Sequence, residues 1–225
     1  MNQDSASKPK ALLSWSSGKD SAWTLHVVRQ QNEVEIAALV TTINEKYQRV
    51  AMHAVRLALL QKQAEAAGVP LWTVPIPDPC TNEEYETAMR RLLTKAKSEG
   101  VSHFVFGDLF LEDIRAYREK QLADTGIHPL FPLWKIPTDE LAMEMVNGGL
   151  RAYITCVDPN QLDPSFAGRI FDEKFLRDLP PSVDPCGERG EFHSFAFEGP
   201  MFRHPIQVTP GEIVERNGFV FADLT

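Results

Sequence analysis

No stretch of this chain approaches the roughly 20 apolar residues that a bilayer span requires, and residues 1–10 are polar, without the apolar segment of a secretory leader. Neither a membrane protein nor an exported one is expected. Cysteine is scarce: Cys80, Cys156 and Cys186 lie far apart and form no C-x-x-C pair. That excludes a disulfide framework and a zinc knuckle, and fits a cytoplasmic protein. Positive charge is also short, 23 Lys and Arg against 31 Asp and Glu for a net −8. A phosphate-backbone footprint is therefore not expected, and nucleic acid is disfavoured as a partner. Repeats and low-complexity tracts are absent. So is a Walker A loop, because Leu13 and Asp20 stand where that motif needs a glycine and a hydroxyl residue.

What is present is Leu12-Leu13-Ser14-Trp15-Ser16-Ser17-Gly18-Lys19-Asp20-Ser21-Ala22. Residues 11–15 read as a buried strand, and the small residues that follow form a turn at that strand's carboxyl end and a helix's amino end. Unpaired backbone N–H groups and the positive end of the helix dipole converge there on the place an anion would take. Ser16, Ser17 and Gly18 are small enough to let the anion approach the backbone, Lys19 adds a mobile positive charge, and the hydroxyls add donors. The loop resembles the SGGKDS signature of the PP-loop ATP pyrophosphatases, with Ser17 where a glycine is usual. That resemblance implies that Ser16, Ser17, Gly18, Lys19, Asp20 and Ser21 hold the β,γ-pyrophosphate of ATP and leave the α-phosphorus open to attack. The serine matters if its position needs a positive φ.

Helical density over residues 20–31, a β-branched run at 36–42, and a helical stripe at 50–67 stopped by Gly68 and Pro70 begin an alternation of strands and helices. A strand at 71–76, a capping box of Thr81 and Glu84 opening a helix that ends by Gly100, and a strand at 103–107 continue it. The pattern predicts an open parallel sheet with its ligand crevice at the strand carboxyl ends. Thr41 and Thr42 fall at one such end and Gly107 and Asp108 at another; His53, in the second helical stripe, is a candidate nucleotide contact. After Pro129, Pro132 and Pro137 come a helix at 138–147, strands at 152–157 and 195–197, a short helix near 172–179, and a hairpin about Asn217-Gly218. The expected division is a flexible arm over 1–10, an ATP-binding α/β domain over 11–128 and a smaller α+β, substrate-binding domain over 129–225.

Two further stretches are dense in chemistry. Acids and bases crowd residues 107–118, just after a strand end, and Asp108 is placed there to hold Mg²⁺ through water or to steer an amine. Arg115 or Arg118 could pair with a phosphate or a substrate carboxylate, but Glu112 and Arg118 read better as members of a solvated helix start. Residues 184–194 combine glycines with Glu188, Glu191 and His193 in one loop, a third candidate site.

Taken in order, SSGKDS, GDLFLEDIRAYRE, PLFPLW, CVD, FAGR, DPCGERGEFHSF and GPMF resemble the diphthine–ammonia ligase family over residues 10–206. The resemblance implies a HUP-type, Rossmann-like nucleotide domain completed by a smaller domain, and ATP-dependent amidation. A substrate carboxylate attacks the α-phosphorus, and ammonia then displaces AMP. ATP and Mg²⁺ are the implied cofactors, and the implied partners are a small-molecule or protein-borne carboxylate and ammonia; a homo-oligomer is compatible. Lys19, beside Asp20, would neutralise leaving-group charge. Glu188, Glu191 and His193 match a GExGEFHTF-like motif, with Ser194 for the usual threonine, and would bind or activate substrate or amine. Departures over 78–84 and 107–115 resemble the bacterial branch, where acceptors other than diphthine, corrinoid-salvage intermediates among them, come into question. Two other readings stay open, an ATP-holding regulator without turnover and a PP-loop tRNA-modifying adenylyltransferase. Intact Lys19, Asp20 and the second acidic loop favour the enzyme.

Overall fold

The computed structural model describes residues 7–46, 49–50 and 55–225. The chain runs β1 (Lys10–Ser14), α1 (Lys19–Gln31), β2 (Glu35–Asn44), β3 (Arg49–Val50), α2 (Leu57–Ala67), β4 (Leu71–Ile76), α3 (Asn82–Ser98), β5 (Val101–Val105), α4 (Glu112–Leu122) and β6 (His128–Leu130). It continues through α5 (Thr138–Asn147), β7 (Arg151–Val157), α6 (Glu173–Asp178), β8 (Phe192–Glu198), β9 (Pro210–Arg216) and β10 (Phe219–Leu224).

Apolar strands that alternate with helices bury both faces by forming the middle of a layered sheet. Here β4, β2, β1, β5 and β6 lie parallel in that order, and the short β3 adds antiparallel to the end of β2. The chain winds outward from β1 to β2 and β4, then returns to wind the other way through β5 and β6. Between β1 and β5 the carboxyl ends therefore part without a shared crossover, and an open parallel sheet takes its ligand at such a point. This is the expected α/β, Rossmann-like arrangement. A smaller antiparallel sheet in the order β8, β7, β10, β9 supplies the expected α+β part.

Period-two alternation divides the core. Leu12 of β1 points with Val40, Val74 and Phe104 toward Met89, Leu92 and Leu93 of α3. Ala11 and Leu13 point the other way, into a core that runs on through α1 and α2 to Ile154, Phe192 and Phe195 of the second sheet. The two sheets thus share one apolar interior, and β6 carries the first sheet past residue 128.

The helix expected over 50–67 begins at Leu57, because Val50 pairs with Ile43 in the β2–β3 ladder. His53 lies outside the described residues. The strand expected over 195–197 starts at Phe192, so His193 and Ser194 are strand residues rather than loop. β6 was hidden by its length and its central Pro129, which an edge strand tolerates. The capping box is as expected: Thr81 Oγ1 accepts from Glu84 N, and the Glu84 carboxylate accepts from Thr81 N. Among the described residues no helix is long and apolar enough to cross a membrane.

Candidate active site

Between β1 and α1 the chain must turn within residues 15–18, and Ser17 takes a left-handed φ of 72°. The conformation costs a non-glycine residue about 1–2 kcal/mol. Ser17 is also fully buried, and its hydroxyl has no hydrogen-bond partner. Its surroundings hold it there: Ser17 O accepts from Ala196 N (3.0 Å) and from Gln63 Nε2 (3.0 Å). Gln63, fully buried on α2, also donates to Ala196 O (2.6 Å) and accepts from Trp15 Nε1 (2.9 Å). One amide ties the loop to α2 and to β8. Ser17→Gly is expected to raise stability by about 1 kcal/mol, since relief of the backbone strain and of the orphan hydroxyl outweighs glycine's extra chain entropy. A higher urea midpoint at unchanged m-value checks it.

At the start of α1, Gly18 N donates to Ser16 Oγ (3.3 Å), Lys19 N to Ser194 Oγ (3.1 Å), and Ser21 Oγ to Gly18 O (3.0 Å). A Cβ on Gly18 would sit 3.3 Å from both Ser16 Oγ and the Ser194 carbonyl, so glycine lets β8 close on the loop. Lys19 is not the mobile charge expected. It is 2% exposed, with Nζ 2.9 Å from each Asp20 carboxylate oxygen, and it donates to the Cys186 carbonyl beside the Phe171 and Phe192 rings. Burial works against the charge, but Asp20 foremost, with Glu188 behind it, holds the ammonium's pKa above its ordinary value.

The loop that supplies Cys186 is fastened by carboxylates. Asp184 Oδ1 accepts from Cys186 N (2.9 Å) and Glu188 N (3.2 Å), and its Oδ2 accepts from Thr138 Oγ1 (2.7 Å). Glu191, buried, accepts from Asp184 N through Oε1 (2.9 Å) and from Arg189 N through Oε2 (3.0 Å). Gly187 makes the turn at φ 69°, where a Cβ would lie 2.9 Å from the Phe192 carbonyl oxygen. The loop then latches onto the first sheet, as Leu109 N donates to Glu188 Oε1 (2.9 Å).

These elements enclose a cleft of about 260 Å³ at the carboxyl ends of β1 and β5. Its floor is Ser16, Gly18, Lys19, Asp20 and Ser21; one wall is Gly107, Asp108 and Arg118, and the other Cys186, Glu188, Phe192, His193 and Ser194. Burial first, then Asp20 and Asp108, push the Glu188 carboxyl up to about 7 against the Leu109 hydrogen bond. Burial also raises Asp108, opposed by Arg118, and burial with Lys19 lowers His193. Burial pushes the Cys156 thiol up to about 12 and raises Cys186 as well.

Of the residues singled out in the sequence, Ser16, Gly18, Lys19, Asp20, Ser21, Gly107, Asp108, Glu188 and His193 come together here. Ser17 lies beneath the loop. Thr41 and Thr42 are outside the cleft lining, and the Thr41 hydroxyl donates to Trp15 O (2.5 Å). Glu191 is also outside it and fastens the loop instead. Arg118 corrects the reading of a solvated helix start: it faces the cleft, its guanidinium 5.1 Å from the Phe106 ring centroid. Gln63 was missed altogether, and Ser194 was noted only as standing for a threonine. The one available signal was a long amide inside the apolar stripe of α2.

Among the described residues no group of three or more His, Cys, Asp or Glu could hold a metal ion unaided. An ion carried by nucleotide phosphates asks a protein for only one or two carboxylates. The buried, partnerless Oδ2 of Asp108, with Asp20 on the same cleft, fits that lesser demand.

Two family models match the chain: the diphthamide synthase N-terminal domain over residues 9–129 and the diphthamide synthase C-terminal domain over residues 137–223. Among curated proteins, the diphthine–ammonia ligase of Bos taurus is 28% identical over 92% of this chain and 85% of its own length. That of Homo sapiens is 28% identical over 78% and 70%, and that of Danio rerio 30% identical over 78% and 73%. A solved structure, the U34-tRNA thiolase NcsA from Methanococcus maripaludis with its [4Fe-4S] cluster, aligns at 17% identity and a TM-score of 0.40 over 62% of this chain and 57% of that one.

Proposed function

The chain belongs to the diphthamide synthase family and is an ATP-dependent carbon–nitrogen ligase; we propose that its cleft adenylates a carboxylate and passes the acyl group to ammonia. The observation that carries this reading is one cleft in which a hydroxyl-lined helix amino end faces Asp108 and Glu188 at the switch point of the sheet. A carboxylate oxygen of the acceptor attacks the α-phosphorus, and the bond to the β-phosphate breaks. Pyrophosphate leaves toward the start of α1, where Ser16, Ser21 and Lys19 take up its charge. Lys19 reaches it by exchanging the Cys186 carbonyl or an Asp20 oxygen for phosphate. Ammonia then attacks the carbonyl carbon, the carbon–oxygen bond breaks, and AMP departs with that oxygen.

Ammonium must shed a proton before it attacks. Glu188, poised near 7 on the cleft wall, accepts it at neutral pH. Asp108 and Asp20 would hold Mg²⁺, which supplies charge neutralisation on the phosphates. Diphthine, the acceptor in the relatives' name, is the first substrate to test, followed by free carboxylated metabolites.

Glu188 gives the reaction a pH dependence with a definite sign. Below about 7 the carboxyl is protonated and cannot take the ammonium proton, so kcat/KM is expected to rise with pH to about 7 and then level. In Glu188→Gln that limb disappears and the rate falls by roughly 10²–10⁴. The function itself is tested by incubating the protein with α-labelled ATP, Mg²⁺, ammonium and a carboxylate pool. AMP and pyrophosphate that depend on one component of the pool are expected; ADP and phosphate would contradict it.

A further inference from the structure

If the cleft is a ligase site, the acceptor's own negative charge must be met beside three carboxylates. Lys19 rests on Asp20 and the Cys186 carbonyl and is assigned to the leaving pyrophosphate. Arg118 is held on the opposite wall by a longer ion pair to Asp108. Its guanidinium lies over the Phe106 ring, 5.1 Å from the centroid, and its Nε forms an ion pair with Asp108 Oδ2 at 3.6 Å, too long for a hydrogen bond. Both of those atoms are buried without a hydrogen-bond partner. A buried donor and a buried acceptor left short of each other are each unfavourable, unless an anion completes the donor and a cation the acceptor; Asp108 Oδ2 would take the cation already assigned to it.

The group that fits the Arg118 donor is a planar monoanion. A guanidinium offers two parallel N–H groups that match the two oxygens of a carboxylate. Each oxygen keeps a further lone pair, so one can still attack phosphorus. A phosphate dianion is a poorer guest, because Asp108 and Glu188 line the same cleft and already offset the single charge of Arg118. Phosphate has its own seat at the start of α1. We propose that Arg118 is the binding residue for the acceptor's carboxylate, presenting it across the cleft from the Ser16–Ser21 loop.

The assignment rests on the ligase reading, and the test separates the two. ¹³C-acetate is titrated by NMR into wild type, Arg118→Met and Arg118→Lys, with and without α,β-methylene-ATP, and the affinity for that analogue is measured on each protein. Wild type is expected to saturate with acetate, Arg118→Met to bind it at least about tenfold more weakly, and Arg118→Lys to fall between. Analogue affinity is expected to stay within about twofold, which also shows that the variants are folded. Acetate that fails to saturate wild type, or that binds Arg118→Met equally well, overturns the assignment. A wild type that does not bind the analogue would count against the ligase reading, and the nucleotide-free titration would still decide Arg118.

Discussion

Lys19→Ala is expected to lower release of AMP and pyrophosphate by at least about 10²–10³-fold, the usual consequence of removing one preorganised donor from developing negative charge. It should also loosen the protein. Lys19 is among the largest fully buried side chains, packed by Phe171 and Phe192 and holding Asp20 and the Cys186 carbonyl together. Truncation leaves a cavity, an unpaired carboxylate and an unmet carbonyl, together worth about 2–4 kcal/mol. Lys19→Met fills the volume without the charge, so it should lose the same rate at roughly half the destabilisation. Product assays beside urea melts of both variants separate the two roles. A Lys19→Met enzyme within about tenfold of wild type would make Lys19 a fastener only.

Glu191→Ala is expected to cost about 2–4 kcal/mol, because the buried Asp184 N loses a charged acceptor worth roughly 1.5–3 kcal/mol and the part-buried Arg189 N loses another that water replaces in part. The loop would then release the Glu188 carboxylate from Leu109 and the Cys186 carbonyl from Lys19, so activity falls with the fold. Glu191→Gln keeps one carbonyl oxygen to accept with and should recover part of both. The check is the rate per folded molecule alongside the unfolding midpoint. A large rate loss at an unchanged midpoint would mean that Glu191 takes part in the chemistry itself.

The strand-and-helix frame was legible because its signals are local: the β-branched run of β2, the Thr81–Glu84 box, the Gly68 stop, the Asn217-Gly218 turn. The phosphate loop was legible for the same reason, since a strand, a small-residue turn and a helix start are contiguous in the chain. What could not be read was set by contacts between distant residues. Ser194 meets Lys19 only because β8 packs on the start of α1, and Gln63 meets Ser17 only because α2 lies beneath the loop. The surroundings of Arg118 and Glu191 were hidden for the same reason. A charge in a helix's second turn reads as solvated until an aromatic ring such as Phe106 is found under it, and an acid in a glycine-rich loop reads as catalytic until its two oxygens are found on backbone N–H groups.

The most direct test of adenylation in this cleft follows the oxygen. The acceptor identified by the product assay is labelled with ¹⁸O in its carboxylate and converted in the presence of ATP, Mg²⁺ and ammonium, and the AMP is examined by mass spectrometry. Attack of the carboxylate on the α-phosphorus predicts one ¹⁸O in each AMP and none in pyrophosphate. Unlabelled AMP, or label carried into inorganic phosphate, would contradict it.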